Sequence, residues 1–416
     1  MFQSSVGRRA VLYLCRGGIA APAQGQTLPL PVIPVPPPPP PAAATTAPPA
    51  EGSSQAVLRQ WEYLFEVGTG YNSNVFFLPE GPADTVFTPR AQITHASRGP
   101  TSEGRIEASG RAVAYLEQRD EVAIDAALTA SGRQETSART TVSGLVSGGL
   151  GHTDESVLLQ EQGVLLPFSQ TRFARAEAAV LWKTSARTTL ELRGRGYYDD
   201  YVAPELVDSR SLRGSLKLGR LLSEHSALSA EYSVERIRSD GTYTTQFASL
   251  QLDHRMSTRS GFLAEGGASY TDYSASPSGR PSAWNFYGGF SIARIVGPSS
   301  TALFVRREVI PAFGLGGVEL TDRIGLRTSF RLGQSWGLSA EGIYVQRSDS
   351  AQDVAERSDS EEGRLTALKR IGRRLELGTE LQYRRYAAPA PRPPIEQFEA
   401  QLTVGVLNPR ASVPRP

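Results

Sequence analysis

Apolar and polar residues alternate with a period of two over many segments of this chain, and this alternation constrains the fold more than any other feature. In residues 323–332, one side of an extended chain carries Ile324, Leu326, Thr328, Phe330 and Leu332, and the other carries Arg323, Gly325, Arg327, Ser329 and Arg331. A period of two is typical of a β-strand with one apolar face and one cationic face. The apolar face must meet either a protein core or lipid.

The length of these segments favours lipid. About eighteen of them, each of roughly 10–14 residues, follow one another between Trp61 and Leu407. Strands of globular proteins usually have about 5–6 residues, whereas a tilted membrane-spanning strand needs about 9–11. The sequence therefore predicts strands that cross a membrane.

The connections between the segments alternate in length. Short links such as 185–188 and 297–300 alternate with longer polar ones such as 202–208 and 348–359. Outer-membrane barrels have short periplasmic turns at one end and longer loops at the other. We therefore predict an all-β fold, a transmembrane antiparallel up-and-down β-barrel of about 18 strands, with 16 as the alternative. An even strand number places both termini in the periplasm.

The alternative is a soluble β-sandwich or solenoid. Such a fold needs a second apolar layer, and the sequence predicts no helices that could supply one and shows no fixed repeat. The hydrophobic content of 39% is also low for a globular domain. A net charge of +2 does not indicate the strongly basic surface that is typical of nucleic-acid-binding proteins. The single cysteine, Cys15, excludes a disulfide framework.

The sequence divides into four regions. Residues 1–25 have the parts of a secretory signal peptide, with Arg8 and Arg9 before a short apolar run and small residues after it, although Arg16 interrupts the run. Residues 26–57 form a proline-rich segment that we expect to be disordered or a semi-rigid periplasmic linker. The barrel is predicted for residues 58–408, and residues 409–416 form a periplasmic tail.

The chain has no recognisable catalytic motif. Residues 152–156 read HTDES and contain the residue types of a hydrolase triad, but neighbours in one loop do not have triad geometry. Phosphate-binding glycine loops, metal-ligand spacings and dinucleotide fingerprints do not occur. We therefore expect no enzyme activity, no catalytic residues, no cofactor and no metal.

The predicted barrel has a charged lumen. The charged faces of the strands assign to the wall Arg105, Arg111, Glu191, Arg193, Arg195, Arg323, Arg327, Arg331, Glu376, Glu380 and Arg384. An 18-stranded barrel is wide enough to conduct water, and mixed charge argues against strong ion selectivity. This lumen suits a hydrated polar cargo.

The third outward loop is the longest connection and a candidate constriction. Residues 151–172 contain an apolar stretch that is unfavourable in bulk water. If the loop folds inward, Asp154, Glu155 and Glu161 face the wall near Arg193 and Arg195. The alternative is a strand that extends beyond the membrane.

The end of the first predicted strand resembles a known family. Tyr71, Asn72, Ser73, Asn74 and Val75 are similar to a short stretch in Gram-negative outer-membrane β-barrels that are porin-like and often encoded beside exopolysaccharide genes. The resemblance implies translocation of a secreted polysaccharide across the outer membrane. It implies contact with outer-membrane lipid, a polysaccharide cargo and a periplasmic polysaccharide export protein. Two alternatives stay open: a general diffusion porin for small polar solutes, and a structural or adhesive barrel.

Overall fold

The computed structural model describes residues 58–75, 81–118, 122–152, 169–203, 206–273, 282–311, 318–333, 335–349, 358–372, 374–387 and 393–407. The regular secondary structure of these residues consists of strands alone. They are β1 Leu58–Asn72, β2 Asp84–Arg98, β3 Ser102–Tyr115, β4 Val122–Glu135, β5 Thr140–His152, β6 Gln170–Lys183, β7 Thr188–Tyr201, β8 Ser209–Leu221, β9 Ser226–Arg238, β10 Thr242–Ser257, β11 Ser260–Asp272, β12 Ala283–Val296, β13 Ser299–Pro311, β14 Val318–Leu332, β15 Trp336–Asp349, β16 Ser358–Ile371, β17 Leu375–Ala387 and β18 Ile395–Leu407.

The eighteen strands form one closed antiparallel sheet. Each strand pairs with its neighbours in sequence, and β1 pairs with β18 from Leu64 opposite Leu407 to Asn72 opposite Glu399. Closure removes the two unpaired edges that an open sheet would expose. The predicted 18-stranded up-and-down barrel is therefore confirmed, and the 16-stranded alternative is wrong.

The two ends of the barrel differ in the length of their connections. At one end, which we call the short-turn end, two to four residues join consecutive strands, as at 99–101 and 297–298. Gly297, Gly333 and Gly372 lie in these turns with φ of 56°, 65° and 63°, a region that other residues seldom adopt. At the other end, the long-loop end, connections reach 153–169, although 239–241 is short.

The two faces of the wall differ as the alternation predicts. Along β14, Ile324 and Leu326 are exposed on the convex face, whereas Thr321 and Arg323 are buried on the concave face. The convex face carries further exposed apolar side chains on strands all around the barrel, such as Leu128, Leu192 and Leu402. A continuous apolar belt of this kind is unfavourable in water and is typical of a lipid-facing surface.

Aromatic side chains mark both borders of the belt. Trp61, Trp182 and Trp336 are exposed near the short-turn end, and Tyr71, Tyr198 and Trp284 are exposed near the long-loop end. Trp61 and Tyr71 lie ten residues apart on β1, which is about 33 Å along the strand and about 25 Å along the barrel axis at a tilt of roughly 40°. This spacing matches the apolar band of a membrane barrel.

Several expected features lie outside the described residues. They include the signal peptide, the proline-rich segment, the C-terminal tail and the candidate constriction residues Asp154, Glu155 and Glu161. In the described part of the chain, no helix is long and apolar enough to cross a membrane. The same residues contain no group of three or more His, Cys, Asp or Glu side chains that could hold a metal ion.

Candidate functional site: the charged lumen

The eleven residues assigned to the wall from sequence all lie at concave-face positions. Arg105 and Arg111 are on β3, Glu191, Arg193 and Arg195 on β7, Arg323, Arg327 and Arg331 on β14, and Glu376, Glu380 and Arg384 on β17. Their convex neighbours include the exposed residues Ile106, Leu192, Leu326 and Leu381. The register therefore brings the charges of four separate strands to the lumen.

Most of these charges are paired along or across strands. Arg193 lies 2.6 Å from Glu191 and 3.3 Å from Glu177, and Arg111 lies 2.7 Å from Asp125. Arg327 contacts Glu341 on the neighbouring strand. Because most of these cations have a carboxylate beside them, the wall is strongly polar without a large excess of either sign.

The lumen wall is not equally accessible along its length. On β14, Thr321 has 0% exposure and Arg323 has 9%, whereas the Arg327 side chain, nearer the short-turn end, is 51% exposed. On β16, Ser360 near the long-loop end is 2% exposed, whereas the Arg364 side chain is 27% exposed. The lumen is therefore open towards the short-turn end and filled towards the long-loop end.

Aromatic side chains occupy part of the filled region. The rings of Tyr243 and Tyr273 lie 5.3 Å apart at their centroids, and Phe247 meets Tyr287 edge-on at 5.8 Å. Tyr243 and Tyr273 are both 1% exposed. The guanidinium of Arg213 lies 4.4 Å above the Phe247 ring, which is a cation–π contact. These contacts join β8, β10 and β12 on the concave face and include Tyr273, the residue that follows β11.

Buried ion pairs occupy the same level of the wall. Glu308 lies 2.9 Å from Arg306 and 3.8 Å from Arg323, and all three side chains are about one-tenth exposed or less. Arg213 lies 3.7 Å from Glu235. Buried charges are costly unless they are paired, and each of these charges has an opposite charge beside it. We call the filled part of the lumen, which contains these pairs and the aromatic side chains above, the narrow region.

Sequence reasoning missed the aromatic part of the narrow region. On β10, Tyr243 and Phe247 face inward while Leu250 is exposed on the convex face, so apolar residues lie on both faces and the alternation is lost. Gly325 lies on the charged face, as the alternation predicts, but its role was not visible in the sequence. It leaves space for Phe304, since an added Cβ would clash with the Phe304 ring.

Residues 71–75 close the barrel. Ser73 exchanges two hydrogen bonds with the main chain of Phe398, donating through its amide at 2.9 Å and accepting through Oγ at 2.8 Å. Asn74 donates through Nδ2 to the carbonyl of Glu396 at 3.2 Å, and Asn72 Oδ1 accepts from the Asn74 amide at 2.9 Å. In this chain the motif therefore has a structural role at the junction of β1 and β18.

His152 also has a structural partner. Its main-chain amide donates to Asp125 Oδ1 at 2.9 Å, and its ring nitrogen Nδ1 lies 3.2 Å from the same oxygen. Asp125 additionally accepts from Arg111. These contacts fix the long-loop end of β5 against β4.

Solved structures with a similar fold include those of three outer-membrane proteins. They are the crystal structures of Pseudomonas aeruginosa OpdQ (10% identity, TM-score 0.48, 84% of this chain and 99% of that chain), Pseudomonas aeruginosa OccK2 (OpdF) in complex with glucuronate (10%, 0.49, 84% and 97%), and Acinetobacter baumannii OccAB3 (10%, 0.48, 84% and 99%). No protein-family model and no curated protein matches the chain. Identities and TM-scores at this level do not establish family membership.

Proposed function

We propose that this protein is an outer-membrane channel through which small polar solutes diffuse. The observation that carries the proposal is the change in accessibility along the concave face, from exposed charged side chains at the short-turn end to a filled region towards the long-loop end. A barrel of about 16–18 strands is wide enough for a water-filled channel. Side chains that fill part of its length limit the size of the solutes that pass.

The apolar belt and its aromatic borders support a location in the outer membrane, where closed barrels of this kind occur. In such barrels the short turns face the periplasm. Both termini of this barrel lie at its short-turn end, because β1 begins there and β18 ends there. We therefore assign both termini to the periplasm.

Small solutes fit the lumen better than a polysaccharide. The expectation of polymer export rests on the similarity of residues 71–75, and these residues close the barrel here. A polymer also needs a continuous wide passage, whereas Tyr243, Tyr273 and Glu308 are buried within the narrow region. We therefore favour the diffusion channel over polysaccharide export.

Liposome swelling tests this function. The full-length protein, reconstituted in phospholipid vesicles, is exposed to isotonic solutions of a pentose, a disaccharide and a tetrasaccharide. We expect swelling rates to fall steeply with solute size. Vesicles that swell no faster than protein-free ones would refute the channel. Equal rates for all three sugars would refute size selection by the narrow region.

A further inference from the structure

Three arginines form a patch on the convex face near the long-loop end. Arg210 on β8 lies directly opposite Arg238 on β9, and Arg236 lies two residues from Arg238 on the same face. All three are exposed. Residues that pair across antiparallel strands have Cα atoms about 4.5–5.5 Å apart, so the three guanidinium groups can reach one small ligand.

This patch differs from the other cations at the same level of the convex face. Arg307 forms a bidentate pair with Asp322 at 2.6 Å, Arg385 lies 3.2 Å from Glu361, and Arg172 lies 3.6 Å from Asp200. Within the part of the chain that the structure describes, the side chains of Arg210, Arg236 and Arg238 have no hydrogen bond and no ion pair. Like charges directly opposite each other are destabilising, so the patch favours an anion from outside the protein.

A groove of about 690 Å³ adjoins the patch, and the three arginines line one side of it. Its other convex-face residues include Ala174, Ala176 and Gly196, which are too small to fill the space between the ridges of Val146 and Leu212. Leu212 is 69% exposed and Val146 is 61% exposed. The groove therefore combines a cationic end with an apolar floor.

We infer that this groove binds a phosphorylated glycolipid of the outer leaflet, with its phosphate on Arg210, Arg236 and Arg238 and an acyl chain along the small residues. Guanidinium groups bind phosphate oxygens in a bidentate manner, and basic pockets at membrane level recognise anionic headgroups. The position fits, because Arg210 and Arg238 lie two residue pairs beyond Leu212 and Arg236, where the apolar belt ends. The inference rests on the proposed outer-membrane location.

Native mass spectrometry tests the site. The full-length protein, purified in a mild detergent, is titrated with lipid A that carries both phosphates and with enzymatically dephosphorylated lipid A. We expect the variant Arg210→Gln/Arg236→Gln/Arg238→Gln to bind the phosphorylated lipid about tenfold or more weakly than wild type. The wild-type protein should also prefer the phosphorylated lipid by a similar factor.

A matched control removes the same charge elsewhere. Arg139, Arg187 and Arg220 are exposed near the short-turn end, and their replacement by Gln should leave lipid binding unchanged. A second variant, Gly196→Leu, fills the groove without changing charge, since an added Cβ there meets its nearest neighbour at 3.8 Å. It should weaken binding of the acylated lipid while leaving binding of inorganic phosphate unchanged.

Three outcomes would overturn the inference. The first is equal affinity of the triple-Gln variant and wild type, and the second is an equal loss in the short-turn control. Competition by millimolar inorganic phosphate that removes all binding would show a free-anion site instead of a lipid site. Channel conductance of the triple-Gln variant, measured with the same preparation, tests the proposed function independently of lipid binding at this site.

Discussion

Gln397 on β18 donates a hydrogen bond through its side-chain amide to the main-chain carbonyl of Asn74, 323 positions earlier, at 2.6 Å. Gln397 and Asn74 are both buried. The amide of Gln397 also holds the guanidinium of Arg384, whose Nη1 donates to Oε1 at 2.6 Å. The Gln397 side chain thus contacts both the junction of β1 and β18 and a charged residue of the lumen wall.

The first prediction follows from this contact. Gln397→Ala removes the hydrogen bond from the Gln397 side chain to the buried carbonyl of Asn74. The loss should lower the free energy of unfolding by about 1–3 kcal/mol. Urea denaturation of the refolded barrel in detergent measures the change. Gln134→Ala removes an exposed amide that bonds to Thr101, and should change stability by less than about 0.5 kcal/mol. Equal effects of the two substitutions would show that the contact with Asn74 does not stabilise the junction.

The second prediction concerns the two faces of β14. The residue Leu326 and the side chain of Arg327 have almost the same exposure in the isolated protein, 49% and 51%. In a membrane, however, only the concave face meets water. In a variant with Cys15 replaced by Ser, Arg327→Cys should react with a small water-soluble thiol reagent, and Leu326→Cys should be protected by lipid. Detergent unfolding should expose both. Equal labelling in vesicles would contradict the assigned faces.

Much of this architecture could be predicted from the sequence, because strict alternation shows which residues of a strand lie on its apolar face and which on its polar face. In β14 every charged residue of 323–332 is concave, as the alternation indicates. The contacts of the narrow region could not be predicted in the same way. Arg213 on β8 contacts Phe247 on β10, two strands away, and Glu308 on β13 pairs with Arg323 on β14. Neither pair can be identified from the sequence unless the register of the strands is known. Contacts between strands depend on register and curvature, which local sequence patterns do not report.

The third prediction concerns charge in the narrow region. Glu308 neutralises part of the charge of Arg306 and Arg323. Glu308→Gln should therefore make this region more positive and shift the reversal potential in a KCl gradient towards anion selectivity. Glu376→Gln, in the more accessible part of the lumen, should shift it less, because water and ions screen exposed charges better. A larger shift for Glu376→Gln would place the selective region at the short-turn end.

The last prediction concerns the connection between β5 and β6, whose residues 153–168 lie outside those described. Its two ends are held together, because His152 and Gln170 are register partners. Deletion of residues 154–167 leaves Thr153, Phe168 and Ser169 to join the strands, a length that suits a hairpin. The barrel should therefore still fold and keep its heat-modifiable mobility in gel electrophoresis. If Asp154, Glu155 and Glu161 constrict the lumen, single-channel conductance in planar bilayers should increase.

A neutral variant, Asp154→Asn/Glu155→Gln/Glu161→Gln, keeps the length of the loop and should change ion selectivity with a smaller effect on conductance. A folded deletion variant with unchanged conductance would place the loop outside the channel, and the filled region of the lumen would then be formed by the wall itself.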